Sequence, residues 1–432
     1  MIPTLEPHQQ LIVDLDPKQF LLGWGGGSGK TATALHLARG KTLVICPKQQ
    51  RDDRTWFRDK ELFKLDIDLT VISKDDLRIR GHTLEKYDTV IADECHTLFG
   101  VTTDTRILKG VRYPKTSQTF QAFYDYLTKY KPERLYLVSG TPADKPMKTF
   151  AIGVLMGRWG MNRYFEFRDK YYFCKRIGYR EMWIPRKSEE LELKLASLIK
   201  SFGVTGQLED WYKVPPQIHE TIYVNLTTDQ TQALSELVRT EADPMVVRTK
   251  QRAIENGVSY DYETIHLNEK ESKFKKVSKH YANEKIQAIK RIVKESRKTI
   301  IFACYTAQIE AIEKALKEEG HLVLTLTGAT KSEDRKTIMQ TAETAPHCVV
   351  IAQSSISAGW EVKSCRTMIF ASKSYKFVDY KQAQWRNLRV DNLDIAYNTY
   401  YHVLVKGGVD ELCHDTILKG EDFYEKTMDH TI

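Results

Sequence analysis

The sequence predicts an α/β protein of two lobes, each a mainly parallel sheet flanked by helices, with a helical insertion between the two series of strands. Three observations predict it. Short apolar runs alternate with helical patterns, the alternation occurs twice, and Pro215-Pro216 stands between the two series, where it breaks helix and favours extended chain. In the first half the runs are Phe20-Leu21-Leu22, Thr42-Leu43-Val44-Ile45, Thr89-Val90-Ile91-Ala92 and Leu135-Tyr136-Leu137-Val138. Each ends in a polar or glycine-rich turn, as buried parallel strands do. Residues from about 150 to 212 break the alternation. They are crowded with Trp159, Tyr164, Phe165, Phe167, Tyr171, Tyr172, Phe173 and Trp183 among basic residues, then read as helix from Ser188 to Lys200. These aromatics have two readings, a small core of the insertion or a stacking surface for bases. The second half repeats the pattern at Thr299-Ile300-Ile301-Phe302, at 322–326, at Cys348-Val349-Val350-Ile351 and at Thr367-Met368-Ile369-Phe370. Thr306 to Glu319 reads as a helix with Ile309, Ile312 and Leu316 on one face, Thr306 as N-cap and Gly320 as stop. The expected division is lobe 1 over 1–213, including the insertion at 150–212, and lobe 2 over 214–432.

Composition is compatible with this plan. The chain has 432 residues, 41% hydrophobic and 28% charged, so wholesale disorder, collagen-like repetition and coiled coil are disfavoured. No apolar stretch approaches the ~18 residues of a membrane span and no secretory leader is visible, so the expected location is the cytoplasm. Seven cysteines lie scattered without a C-x-x-C pair, which suggests neither a disulfide framework nor a zinc site. The formal net charge of +8 permits a polyanionic partner without demanding one. Between Glu269 and Lys298, eleven basic residues face four glutamates. This stretch is either the solvated side of a helix whose apolar side is Ile286, Ile289, Ile292 and Val293, or a surface that follows phosphates.

The sharpest local signal is Gly23-Trp24-Gly25-Gly26-Gly27-Ser28-Gly29-Lys30-Thr31, after an apolar strand and before the helix-forming run Ala32 to Ala38. Glycines let backbone N–H groups turn inward around phosphate oxygens, Lys30 reaches the β- and γ-phosphates, and Thr31 ligates magnesium. Trp24 stands where the longer G-x-x-x-x-G-K-T form has its first glycine, so the match is to the shorter G-x-G-K-T form. Next, Asp93-Glu94-Cys95-His96 ends an apolar strand. There Asp93 would hold magnesium opposite Thr31 and Glu94 would orient and deprotonate the attacking water. Phosphoryl transfer also needs positive charge near the γ-phosphate, and Gln382-Ala383-Gln384-Trp385-Arg386-Asn387-Leu388-Arg389 offers Arg386 and Arg389 on one helical face.

In this ordered set the chain resembles the superfamily-two helicases, and within them the Swi/Snf-like DNA translocases, especially short phage-encoded members. Leu5-Glu6-Pro7-His8-Gln9 resembles the adenine-reading segment, with Gln9 as reader; Gly27 to Thr31 resembles motif I; Cys46-Pro47-Lys48 with Trp56 resembles motif Ia and its downstream tryptophan. Asp93 to His96 resembles motif II, Ser139-Gly140-Thr141-Pro142 motif III, Thr299 to Tyr305 motif IV, and Thr327-Gly328-Ala329 a loop that touches the DNA backbone. Ser355 to Glu361 resembles motif V and Gln382 to Arg389 motif VI; Val409-Asp410-Glu411 resembles the closing segment.

The resemblance implies an ATP- and Mg²⁺-dependent motor of two RecA-like lobes. Its nucleotide site would comprise Gln9, Trp24, Gly25, Gly26, Gly27, Ser28, Gly29, Lys30, Thr31, Gly359 and Glu361, with Thr31 and Asp93 on the metal. Lys30, Asp93, Glu94, Arg386 and Arg389 would carry catalysis. His96, Ser139, Thr141 and Gln382 would couple hydrolysis to grip, and Lys48, Ser73, Lys74, Thr327, Gly328 and Ser355 would face DNA. The implied substrate is duplex or forked and branched DNA, with single strands possible, in replication or recombination and alongside proteins of those processes. The chain departs from the family pattern at Lys145, Trp360, Val362 and Asp391-Asn392, and the departures fall on DNA contacts and lobe coupling. A DExH RNA helicase and a hydrolytically silent nucleic-acid clamp are the rival readings. Outright strand separation would need a wedge element, and none is visible in the sequence.

Overall fold

The computed structural model describes residues 2–177, 180–266, 272–356, 360–388 and 396–420. The chain divides into two compact units, Met1–Tyr212 and Lys213–Ile432. Among the described residues no helix is long and apolar enough to cross a membrane.

The first unit holds β1 (Gln19–Trp24), β2 (Lys41–Cys46), β3 (Asp68–Ser73), β4 (Thr89–Asp93), β5 (Val101–Leu108), β6 (Val111–Thr116), β7 (Arg134–Val138), β8 (Tyr172–Ile177), β9 (Arg180–Pro185) and β10 (Gly203–Gly206). Six of these form one sheet in the order β10-β1-β7-β4-β2-β3, and every neighbouring pair is parallel. Side chains alternate across it, as a period of two requires. Leu21, Leu43, Ile45, Val90, Ala92, Leu135 and Leu137 enter one apolar cluster, while Leu22, Val44, Ile91, Tyr136 and Val138 enter another. Both faces are therefore buried, which is why the runs are continuously apolar.

The insertion is helical with one addition. Helices Pro146–Leu155, Tyr164–Tyr171 and Glu189–Phe202 are joined by the antiparallel hairpin β8–β9, and the chain then returns to the sheet as β10. Ser188 caps the last helix, its hydroxyl accepting from Leu191 N–H at 3.2 Å. The aromatics form a core: Trp159 lies 6.3 Å from Phe150, 6.2 Å from Phe167 and 5.7 Å from Phe202, and the Arg168 guanidinium sits 3.6 Å above Trp183.

The second unit holds β11 (Gln217–Val224), β12 (Val258–His266), β13 (Ser272–His280), β14 (Lys298–Ala303), β15 (Val323–Leu326), β16 (Cys348–Gln353), β17 (Thr367–Phe370) and β18 (Asn398–Val405). Its sheet runs β11-β18-β17-β14-β16-β15, again all parallel, with β12–β13 a separate hairpin. Helix Thr306–Glu318 is capped by Tyr305 through backbone alone, so Thr306 is the first helical residue and not the N-cap. In helix Glu284–Glu295 the buried positions are Lys285, Ala288, Ile289, Ile292 and Val293, with Ile286 only partly covered. One of the basic residues in this lysine-rich stretch is thus internal, neither solvated nor facing a phosphate.

Candidate active site

In a parallel sheet the C-terminal ends of the strands share one edge, which is where ligands meet open α/β sheets. The neighbours β1, β7 and β4 therefore bring three loops together: Gly25–Thr31 after β1, Ser139–Thr141 after β7, and Asp93–His96 at the end of β4.

The first loop turns into helix Lys30–Leu37 through Gly27 and Gly29, whose φ angles of 79° and 80° are strained for any side chain. A Cβ on Gly29 would also fall 1.7 Å from Gln9 Nε2, so this position is closed to other residues twice over. Ser28 Oγ donates to Gly25 O at 2.7 Å and Lys30 Nζ donates to the same carbonyl at 2.8 Å, which curls the loop around the ammonium. Gly26 and Thr31 are half-buried and Gly27 is exposed, leaving the concave side reachable. A positive, N–H-rich turn at a helix start is suited to phosphate oxygens.

Asp93 is 6% exposed, and Glu94 adopts a left-handed backbone (φ 46°) that turns the chain sharply at the strand end. Glu94 N–H donates to Asp93 Oδ1 at 2.8 Å. Burial first, then the neighbouring Glu94 charge, pushes the Asp93 carboxyl well above the usual range; Lys30 and a hydrogen bond from Gln50 oppose that rise. An anion so costly to ionise is one that a divalent cation would stabilise, so the chemistry of Thr31, Asp93 and Glu94 fits magnesium beside a phosphate. His96 Nδ1 lies 3.3 Å from Glu94 Oε2 and 2.9 Å from Ser139 Oγ, and Ser139 Oγ accepts from Thr141 N–H at 3.1 Å. A continuous polar chain thus runs from Glu94 through His96 to the loop after β7.

Three assignments need correction. Trp24 is 1% exposed and packs behind the loop, 5.0 Å from His8 and 5.2 Å from Trp211, so it backs the site and does not line it. Ser73 is 1% exposed and caps helix Lys74–Arg80, its hydroxyl donating to Asp76 at 2.6 Å and accepting from Asp76 N–H at 3.1 Å; it cannot also face a DNA phosphate. Arg386 is 8% exposed, with Nε donating to Gln382 O at 2.8 Å and Nη1 to Trp360 O, so its guanidinium ties the ends of two segments together. Gln9 has its Oε1 accepting from Glu6 N–H at 3.0 Å and its Nε2 donating to Ser28 O at 3.2 Å, which makes it a support of the loop in this structure.

Lys48 is exposed at the start of helix Lys48–Asp52 and Lys74 is half-buried. In the second unit Gly328 and Ser355 are exposed at the ends of adjacent strands β15 and β16, and Thr327 is half-buried. Gly328 N–H donates to Gln353 Oε1 at 3.2 Å, a bridge between these two loops. Gln382 is buried and Glu361 half-buried. Gly359, Arg389 and Asp391-Asn392 lie outside the described residues. Trp360, one of the departures from the family pattern, turns inward: it is 6% exposed, its Nε1 donates to Ile356 O at 2.6 Å and its ring lies 5.8 Å from Phe302.

Residues to which the sequence assigned no role complete the first site. His8 Nε2 lies 3.1 Å from Ser28 O, and its ring stacks on Trp211 at 4.6 Å. Gln50, which reaches Asp93, is itself held by Trp56 Nε1 at 3.2 Å. His8 with Ser28 and Trp211, and Gln50 with Asp93, are far apart in the chain, and only the fold joins them.

Residues 284–391 match the helicase conserved C-terminal domain. That stretch runs from the buried Lys285 helix through β14 to β17 and past Arg386. Helicase SWR1 of Eremothecium gossypii is 31% identical over 104 residues, which cover 24% of this chain and 7% of that protein. A solved structure of the Sulfolobus solfataricus SWI2/SNF2 ATPase core in complex with dsDNA aligns with 97% of this chain and 92% of that one, at 14% identity and a TM-score of 0.41.

Proposed function

We propose that the chain is an ATP-dependent DNA motor of the Swi/Snf-like kind, coupling hydrolysis to movement on duplex or forked DNA in replication or recombination. The observation that carries the reading is the single sheet edge on which the Lys30 loop, the Asp93-Glu94 pair and the His96–Ser139 link lie together. The helicase C-terminal match over 284–391 supports a motor over a simple nucleotide-binding protein.

Lys30 and the loop N–H groups hold the β- and γ-phosphates, with Thr31 and Asp93 as the metal ligands. Magnesium, when bound, neutralises phosphate charge as the transferred group loosens from its leaving oxygen. Glu94 takes the proton of the attacking water, and its contact with His96 passes the change in charge to Ser139 and the loop after β7. Arg386 stays on its two carbonyls, so the role of positive charge at the γ-phosphate falls to Arg389. Lys48, Lys74, Thr327, Gly328 and Ser355 remain the candidate backbone contacts.

The test is steady-state ATP hydrolysis with magnesium, alone and with matched single-stranded, duplex and forked DNA and with RNA. Glu94→Gln serves as the control for contaminating activity. Stimulation by duplex or forked DNA that the variant abolishes is the expected result. Stimulation by RNA alone would transfer the motor to RNA, and silence with every nucleic acid would leave a binding clamp.

A further inference from the structure

The strand ladder β5–β6 belongs to neither six-stranded sheet. It begins at Val101, shortly after the Asp93-Glu94 pair, and its base is fixed to the body: Val101 is 5% exposed, and Tyr164 of the insertion donates its hydroxyl to Thr102 O at 2.9 Å and Asp104 O at 3.1 Å. The far end is bare. Lys109 (φ 49°) and Gly110 (φ 79°) make a two-residue turn with both central residues left-handed, the geometry that matches the twist of a hairpin. From Arg106 to Tyr113 every residue is exposed.

What the tip exposes is apolar. Ile107 is 64% exposed, Val111 53%, Leu108 51% and Tyr113 43%. In the ladder Leu108 pairs with Val111 and Arg106 with Tyr113, so these four share one face, while Ile107 and Arg112 pair on the other. Between Val101 and Thr116 there are four basic residues, Arg106, Lys109, Arg112 and Lys115, against the single acid Asp104. Exposed apolar side chains at the tip, ringed by positive charge, fit a polyanion that hides an apolar surface inside it, which is a description of stacked bases within a phosphate backbone.

We propose that the 101–116 hairpin is a strand-separating pin: its apolar tip inserts at the junction of a forked duplex and displaces one strand while the basic residues hold the flanking phosphates. This gives the chain an unwinding activity beyond translocation, and it rests on the motor reading for the force that drives the pin forward. The tip is solvent-exposed throughout, so the Ile107→Ser, Leu108→Ser, Val111→Ser triple variant keeps the fold, and Tyr113→Ser is a milder second probe.

On a forked DNA substrate, ATP-driven strand displacement by the triple variant is expected to fall at least about tenfold, with duplex-stimulated ATP hydrolysis kept within about twofold of wild type. A base analogue such as 2-aminopurine placed at the junction is expected to brighten when wild-type protein binds without ATP, and not when the triple variant binds. Displacement by the triple variant at the wild-type rate would overturn the proposal. So would wild-type protein that hydrolyses ATP on duplex DNA yet never displaces a strand, or a tip whose substitution changes only the oligomeric state. Absence of any ATP hydrolysis in wild type would overturn the motor reading instead, and the junction fluorescence would then decide the pin on its own.

Discussion

The two units share a plan, six parallel strands with helices on both faces, yet they keep their charges in opposite places. In the first unit the charged side chains that matter sit at the C-terminal edge of the sheet, with Lys30 and Glu94 half-buried and Asp93 buried. In the second unit the charges are internal. Asp410 is 2% exposed and is shared by Lys285 at 2.5 Å and Arg252 at 3.2 Å; Lys285 also donates to Asn256 Oδ1 at 2.8 Å and Ala371 O at 2.9 Å. Glu255 accepts from the N–H groups of Val409 and Asp410, both at 2.9 Å, at the start of helix Val409–Leu418. Beside them, His219 Nδ1 and His402 Nε2 lie 3.1 Å apart and the His414 ring is tilted against that of His402, 4.6 Å between centroids. One unit spends its polar groups on a reachable site. The other uses them to lock helices and strands together, so changes in the two should be read out by different measurements.

Glu94→Gln is the largest expected effect and should be confined to chemistry. Nucleotide binding persists while turnover falls by roughly 10²–10⁴-fold, the usual worth of a positioned general base. Near-normal turnover would remove Glu94 from its role. Asp410→Asn should do the reverse and lower stability by about 3–5 kcal/mol, because Lys285 and Arg252 are left buried without their counter-charge. Urea unfolding followed by a probe in the second unit measures it, and a loss under about 1 kcal/mol would mean the three groups are not one network.

Acid sharpens the contrast. Burial first, then Lys373, lowers His414 to about 3, and His402 is pushed further down for the same reasons, with His414 and His219 adding to it. The unfolded chain binds these protons near pH 6.5 while the folded chain refuses them, so stability is complete above that and falls as pH drops from about 6.5 towards 3. Asp410, where burial is outweighed by Lys285 and Arg252, titrates at about 2, so its own contribution is present above about 4 and is lost between about 4 and 2. Thermal unfolding from pH 7.5 to 4 should show this acid limb, and His414→Phe should flatten it.

Much of the fold was legible because both faces of each sheet are covered, which makes the central strands continuous apolar runs. Several other strands carry no such run. β10 is four residues with two glycines, β11 is an edge strand with mostly exposed side chains, and β18 carries Asn398, His402 and three tyrosine or threonine positions among its apolar ones. From Arg106 to Tyr113 the hairpin β5–β6 mixes basic and apolar residues that face water alike, so no amphipathic pattern marks it. Within the site, glycines and carboxylates announce themselves through spacing. A motif states which group is present and not which neighbour already holds it; Asp76, Trp211 and two carbonyls hold Ser73, Trp24 and Arg386.

Lys373 gives the smallest and most discriminating prediction. It is 4% exposed, its Nζ has no hydrogen-bond partner among the described residues, and the faces of Phe370 and Tyr380 lie 5.5 and 5.9 Å from it. Burial first, with Lys285 and Arg252 repelling it and Asp410 attracting it, lowers its ammonium to about 7. Below that pH both folded and unfolded chains carry the proton and the folded one bears the whole cost of a buried charge. Between about 7 and 10.5 only the unfolded chain binds it, so stability rises with pH across that window. Lys373→Met keeps the volume and removes the charge; it should gain about 1–2 kcal/mol at pH 6.5, with the gain shrinking towards zero by about pH 10.5. Asp410 retains Lys285 and Arg252 in the variant, so its pairing does not cancel the gain. A variant less stable than wild type at pH 6.5 would mean that Lys373 serves the buried network as a third cation, and that the internal charges of the second unit form a set of four.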